Sequence, residues 1–343
     1  MPAPLRLAQV GIGYWGKNLL RNMAALPGVE LAWACDVREE ARAAAERAHP
    51  GLRTTGRFDD VLEDTGVDAV VIATETPQHF VMADAALRAG LHVFVEKPLA
   101  QTAAQAERLV KAAEDARVVL MVGHLLRYHP AFRHVEDIVL AGELGDVRYL
   151  HTTRVNLGIV RHSENAFDSL APHDIALALA MIPDEPVAVS ATGRAYLQPG
   201  VEDVVFATVE FAGRAMAHHH VSWLDPLKER RLTVVGSRRM AVVDDMEPAE
   251  KVRIYDRGID PPKADDAGAY VDFGAALTVR SGDILLPRVA AVEPLRAECE
   301  EFVAAIREGR PARTDGREGL RVVRILDAAR ASLHSGGARI ALT

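Results

Sequence analysis

Three glycines, Gly11, Gly13 and Gly16, follow a short apolar run that begins at Leu5, and their spacing constrains the fold more than any other feature of the chain. Leu5, Leu7 and Val10 suit a strand, and G-x-G-x-x-G directly after a strand marks a turn into a helix. Gly11 permits the tight turn, Gly13 leaves no side chain between the backbone and a pyrophosphate, and Gly16 lets the helix lie close on the sheet. Tyr14 and Trp15 lie within the turn. Leu19, Leu20, Met23 and Leu26 continue at helical spacing, so the helix points its free N-terminal amides and positive dipole end at the phosphate position. A second apolar run, Leu31 to Cys35, ends at Asp36, about twenty residues beyond Gly16, where a carboxylate can hold a ribose 2′-hydroxyl. A hexapeptide of this kind is a weak signal by itself, and a glycine-rich turn that binds nothing is the plainer alternative. The strand, helix and acid around it favour a dinucleotide site.

From the N-terminus to about Val122, short β-branched runs alternate with alanine-rich helical stretches, the pattern of a parallel sheet covered on both faces. Further strands are read at Ala69 to Ala73, Leu91 to Val95 and Val118 to Val122. The helices between them include Pro77 to Ala89, with Thr76 as N-cap and Pro77 at the first helical position, and Ala103 to Ala116, with Thr102 and Gln105 as a capping box. Beyond Gly123 half-buried alternating strands take over, at Val147 to Val155, Val187 to Ala195, Val204 to Phe211, Ala215 to Trp223 and Arg231 to Val235. They read as antiparallel strands of one open sheet, interrupted by a helix over His173 to Met181. Tyr255 to Val289 reads as loops and weak edge strands, and Pro294 to Arg307 and Leu320 to Ser335 as two amphipathic helices able to pack back on the first domain. The expected architecture is therefore α/β, with a doubly wound parallel domain over residues 1–122 and a second domain over 123–343.

A length of 343 residues and 49% apolar content suffice for two proper cores. The formal charge of -8 argues against a nucleic-acid or anionic-membrane partner, because phosphate surfaces reward clustered cations. The first strand begins almost at the N-terminus, and no apolar run approaches spanning length, so no signal peptide or membrane segment is expected and the protein is expected to be cytoplasmic. Cys35 and Cys299, the two cysteines, lack metal-ligand spacing and read as core thiols. His218, His219 and His220 invite a metal reading, but a strand sends the middle ring to the opposite face, so no metal is expected.

Ligands of doubly wound sheets sit at the carboxyl ends of the strands, and four such ends carry unusual residues. They are the glycine turn, Asp36 with Arg38, T-E-T-P-Q-H from Thr74 to His79, and Glu96-Lys97-Pro98. A lysine just past a buried strand offers a cation and a proton at that face, and Pro98 restricts its backbone to extended conformations. The plainer alternative is a lysine reaching from an ordinary loop to solvent. A second group lies where the open sheet begins, at Asn156 to Gly158, Arg161, His162 and Ser169 to Asp174. With Pro172 in the first turn of its helix, His173 is presented for general acid–base work, or else serves as a capping or core histidine.

Together with Gly11 to Gly16, the stretches Glu96-Lys97-Pro98, Gly123 to Pro130, Gly142 to Gly145, Pro172 to Asp174 and the late P-L-R-A-E-C-E-E-F-V-A-A-I resemble the Gfo/Idh/MocA oxidoreductases over nearly the whole chain. The resemblance implies a Rossmann domain followed by an α/β domain whose large open antiparallel sheet makes dimer or tetramer contacts. It implies that Thr74, Thr76, Pro77 and His79 line the nicotinamide–ribose side, that Glu96 and Lys97 contact cofactor and substrate, that His173 is the acid–base residue, and that the Lys97–Pro98 peptide is cis. Many members carry an aspartate four residues before the histidine, where this chain has Ser169, with Asp168 one residue earlier. The stretches S-L-A-P-H-D-I and S-W-L-D-P-L-K-E-R-R are similar to a branch that oxidises the C3 hydroxyl of UDP-N-acetylglucosamine-like sugars to 3-keto sugars. For such a substrate Tyr128, Arg154, Asn156, Arg161, Ser169 and Lys228 are candidate contacts. Asp36 favours NAD over NADP, with Arg38 as partial compensation. The alternatives are a dehydrogenase or reductase for an inositol, a free sugar or a dTDP-keto-sugar, and a dinucleotide-sensing protein without catalysis.

Overall fold

The computed structural model describes residues 3–158, 160–161, 164–260 and 278–342. It divides into two compact units, Met1–His129 with Val292–Asp327, and Pro130–Ala291 with Ala328–Thr343. The first unit thus extends past Gly123 and takes in a late segment of the chain.

The first unit runs β1 (Leu5–Val10), α1 (Gly16–Ala24), β2 (Val29–Cys35), α2 (Glu39–Ala48), β3 (Arg53–Thr55), α3 (Phe58–Leu62), β4 (Ala69–Ile72), α4 (Thr76–Arg88), β5 (His92–Glu96), α5 (Ala103–Ala116) and β6 (Leu120–Gly123), followed by a 3-10 turn over Leu125–Tyr128. Its six strands are all parallel in the order β3-β2-β1-β4-β5-β6, so the chain winds outward in both directions from β1. Each central strand is buried on both sides, and alternate residues feed two cores. Val70, Ile72, Val93 and Val95 face Leu87, Leu109 and Val122, whereas Ala69, Val71 and Phe94 join Leu19, Met23, Tyr128, Cys299 and Phe302. The cap of α5 is the expected one, with Thr102 accepting from the Gln105 amide, although Gln105 reaches back to the Gln101 amide. Helix α4 is capped differently, for Glu75 is its N-cap and Thr76 already lies inside it.

The second unit begins with α6 (Pro130–Leu140), β7 (Val147–Val155) and α7 (Ala166–Met181) and continues through β8 (Pro186–Arg194), β9 (Val204–Phe211), β10 (Met216–Ser222), β11 (Glu229–Gly236), β12 (Met240–Asp244), β13 (Val252–Tyr255), β14 (Gly258–Asp260), β15 (Thr278–Arg280) and β16 (Ile284–Leu285). The late helices are α8 (Pro294–Glu308) and α9 (Gly316–His334), and β17 (Ile340–Ala341) ends the order. Nine strands form one sheet, β16-β13-β12-β11-β7-β10-β9-β8-β17. The sheet is not purely antiparallel, because β10 pairs with β7 in parallel. After the α7 crossover, β8, β9 and β10 reverse twice, and the third of them returns in the direction of β7. Helix α7 covers one face of this sheet through β7, β9 and β10. On the other face Tyr149, Phe206 and Met216 are exposed, and the His151, His218 and His220 rings are half-buried. No helix among the described residues is long and apolar enough to cross a membrane.

Candidate active site

The glycine turn is as tight as its spacing requires. Gly11 adopts a φ of 85°, and a Cβ on it would lie 2.6 Å from the Ala73 carbonyl oxygen. A Cβ on Gly16 would lie 2.1 Å from the Gly11 oxygen. Gly13 differs from both, since a Cβ there would meet only the Arg38 guanidinium, at 3.8 Å. That free ground ahead of the N-terminus of α1 is what a pyrophosphate needs. Asp36, at the end of β2, accepts the Ile12 amide at 2.8 Å and is also gripped by Arg38 through its backbone amide, Nε and Nη2 at 2.9, 3.1 and 3.0 Å. Burial pushes this carboxyl up, but the Arg38 and Ile12 hydrogen bonds outweigh it and hold Asp36 below the usual carboxylate range. Tyr14 is exposed, with the Lys17 ammonium 5.5 Å from its ring centre. The turn and the anionic Asp36 fit the pyrophosphate and ribose of a dinucleotide.

At the end of β4, Thr74 and Pro77 flank the start of α4 together with Thr76. His79 does not face outward with them. It is buried, with Nδ1 2.8 Å from the Pro98 carbonyl oxygen and Nε2 3.1 Å from that of Thr74, so it braces two loops against each other instead of contacting a ligand. The Lys97–Pro98 peptide is cis. Lys97 is half-buried at the carboxyl end of β5. Beside it, the Glu96 carboxyl accepts the Trp15 indole N–H on Oε1 and the Lys97 amide on Oε2 at 3.2 Å. Burial pushes Glu96 up to about 7 against the pull of Lys97 and Trp15.

Tyr128 is a correction. Its ring lies in the first unit's core, its hydroxyl is 2.8 Å from Thr314 Oγ1, and nothing of it is left to meet a substrate.

In the second unit α7 starts earlier than Pro172 suggests. Asn165 is the N-cap, accepting the Asp168 amide at 3.0 Å, and Pro172 falls inside the helix. His173 therefore stands two turns into α7, half-buried, rather than in its first turn. Ser169 is buried one turn before it, and Asp168 pairs with Arg330. Arg154, a candidate for substrate phosphate, is instead buried and bound to Asp174 by two hydrogen bonds of 2.8 and 2.7 Å. Arg161 is exposed and pairs with Glu164 at 3.1 Å, Lys228 is exposed ahead of β11, and Asn156 follows β7 with its amide donating to the Ser222 carbonyl. His162 lies outside the described residues. His219 is on the buried face of β10, its Nδ1 2.8 Å from Thr152 Oγ1.

The residue that sequence reading missed is Glu298. It occupies a core position of α8 between Leu295 and Phe302, fully buried, and neither carboxyl oxygen has a hydrogen-bond partner. A single acid inside the stripe Leu295, Glu298, Cys299, Phe302 was the available signal.

The family described as "Oxidoreductase family, NAD-binding Rossmann fold" matches residues 5–124, and the GFO/IDH/MocA C-terminal domain matches residues 132–242. The UDP-N-acetylglucosamine 3-dehydrogenase of Acidithiobacillus ferrooxidans is 31% identical over 320 residues, 93% of this chain and 94% of that protein. Its solved structure superposes with a TM-score of 0.81 over 98% of this chain and 100% of the other, at 28% identity. GenD2 from gentamicin A biosynthesis, solved in complex with NAD, reaches a TM-score of 0.81 at 26% identity, covering 100% of this chain and 97% of its own. The inositol 2-dehydrogenase of Salmonella typhimurium is 32% identical over 159 residues, 46% of this chain and 47% of that protein. On these matches the chain belongs to the Gfo/Idh/MocA family of NAD(P)-dependent oxidoreductases.

Proposed function

We propose that this enzyme oxidises the C3 hydroxyl of a UDP-N-acetylglucosamine-like nucleotide sugar to the 3-keto sugar with NAD. The observation that carries the reading is the near full-length likeness to a UDP-N-acetylglucosamine 3-dehydrogenase. Gly11, Gly13 and Gly16 would hold the pyrophosphate, Asp36 the adenosine ribose, and Thr74, Thr76 and Pro77 the nicotinamide side. When bound, the cofactor supplies the acceptor for the hydride that leaves the alcohol carbon.

The chain's own residues must manage the proton. An alkoxide is too basic to form freely near neutrality, so a base has to take the hydroxyl proton as the hydride departs. His173 takes that proton on a ring nitrogen, and the Lys97 Nζ donates to the same oxygen and steadies its developing negative charge. Asn156, Arg161, Ser169 and Lys228 are proposed as contacts of the nucleotide sugar. The ionised Asp36 repels a 2′-phosphate and so favours NAD, while Arg38, now bound to Asp36, would have to release it for a ribose to bind. A homo-oligomer and a cytoplasmic location complete the reading.

The test is reduced-cofactor formation with NAD or NADP against a panel of UDP-sugars, inositols and free sugars, with the product removed to draw the reaction forward. Turnover is expected with NAD and a UDP-N-acetylamino sugar. The inositols probe the alternative that the Salmonella relative raises, and turnover on an inositol alone, or a preference for NADP, would overturn the assignment.

A further inference from the structure

Strand alternation puts Glu96 on the same side of the parallel sheet as Phe94, the side where α1 and α8 pack. There the Phe94 ring meets Phe302 of α8 edge-on at 5.7 Å. Trp15, a member of the glycine turn, donates its indole N–H to Glu96, so this carboxyl is tied directly to the loop that would hold the cofactor. Space has been cleared for it, because a Cβ on Gly123 would lie 2.9 Å from the Glu96 carboxyl carbon. On the same side, Glu298 has no hydrogen-bond partner and no exposure, and ionising it would carry the full cost of desolvation.

We propose that Glu96 senses the charge of the bound cofactor: its carboxylate is ionised beside the cationic oxidised nicotinamide and takes up a proton when the neutral reduced ring stands there. The inference rests on the dinucleotide reading above. The groups around this carboxyl are the Lys97 ammonium from the end of its own strand, the Trp15 indole from the start of α1, and Glu298 and Cys299 from α8, with Tyr128 facing Glu298 from the turn after β6. Burial pushes the Glu298 carboxyl, the Cys299 thiol and the Tyr128 phenol all upward. Glu96 is pushed up to about 7, so it changes charge near neutrality, and it is the carboxyl that the Trp15 indole ties to the glycine turn. A cationic ring attracts a carboxylate and a neutral ring does not, so the two cofactor forms must differ in the protons they displace.

Calorimetric titration with NAD⁺ and with NADH, in two buffers of different ionisation enthalpy, counts those protons without any turnover. NAD⁺ is expected to release a fraction of a proton near neutrality and to bind about tenfold more weakly at about pH 6 than at about pH 8, while NADH binding stays flat. Glu96→Gln should flatten the NAD⁺ response, and Trp15→Phe, which removes a donor to the carboxylate, should move its midpoint to higher pH. Binding of NAD⁺ without proton release, or an unchanged slope in Glu96→Gln, overturns the inference alone. Failure of both cofactor forms to bind overturns the dinucleotide reading and this inference with it.

Discussion

Two residues are proposed to share one proton problem, and each sits where its backbone gives it little choice of direction. Lys97 follows a strand whose middle three residues are buried, and it precedes a proline that restricts its backbone. His173 stands next to Asp174, which Arg154 holds from β7 with two short hydrogen bonds, so the turn of α7 that carries the imidazole is pinned to the sheet beneath it. Positioned proton transfer of this kind typically contributes about 10²- to 10⁴-fold, so Lys97→Ala and His173→Ala are each expected to lower kcat at least about 10²-fold. Neither side chain is asked to hold the pyrophosphate or the adenosine ribose, so the dissociation constant for NAD should stay nearly unchanged in His173→Ala, and in Lys97→Ala at a pH high enough to keep Glu96 ionised without the Lys97 ammonium. Steady-state kinetics beside cofactor titration separates the two effects, and near-normal turnover in either variant removes that residue from the mechanism.

Among the elements, β10 shows how alternation turns three consecutive histidines into two different environments. His218 and His220 lie on the open face, where the His220 ring stacks on Phe206 at 4.3 Å between centroids, while His219 is sealed against Thr152. Burial drives His219 down to about 4, with Asp174 acting weakly in the other direction. The folded protein therefore binds this proton less readily than the unfolded chain, whose histidine titrates near 6.5. Stability should fall as pH drops through that interval, by about 3 kcal/mol from this group between about pH 6.5 and about pH 4. Denaturant unfolding across the interval checks it: His219→Gln should flatten the acid slope, and an equally steep slope in the variant would show that other groups carry it. This burial was legible in the alternation of apolar residues, as were the parallel strands, the glycine turn and the Thr102 cap. What was not legible depended on partners far along the chain or on one proline. Tyr128 finds Thr314 and Arg154 finds Asp174, and neither pairing leaves a mark in local sequence. Pro172 reads as a helix start because it lacks an N–H, yet the Asn165 cap with Asp168 three residues on starts α7 a turn and a half earlier. The parallel pairing of β7 with β10 spans a whole crossover, which no strand's own pattern encodes.

On the scale of the whole molecule, the nine-stranded sheet has one face covered by α7 and another that carries Tyr149, Phe206 and Met216 at 43%, 43% and 44% exposure. Aromatic and thioether side chains in adjacent strands, with the His151, His218 and His220 rings among them, make an apolar patch on the open face. A second copy of the same sheet is the simplest cover, since a two-fold interface sets the same patch against itself. Burial and neighbouring positive charge hold His151 and His218 below the ordinary histidine range, so these rings are neutral near pH 7 and would gain like charges on the shared face in acid. Light scattering is accordingly expected to give a dimer or tetramer near pH 7 and a smaller species at an acid pH below the ordinary histidine range, where the rings protonate. Phe206→Asp, which puts a carboxylate in the middle of the patch, should yield the smaller species at both pH values while cofactor binding in the first unit persists. A wild-type protein that runs as a monomer near pH 7, or an assembly indifferent to Phe206→Asp, would mean that this face is not the one the subunits share.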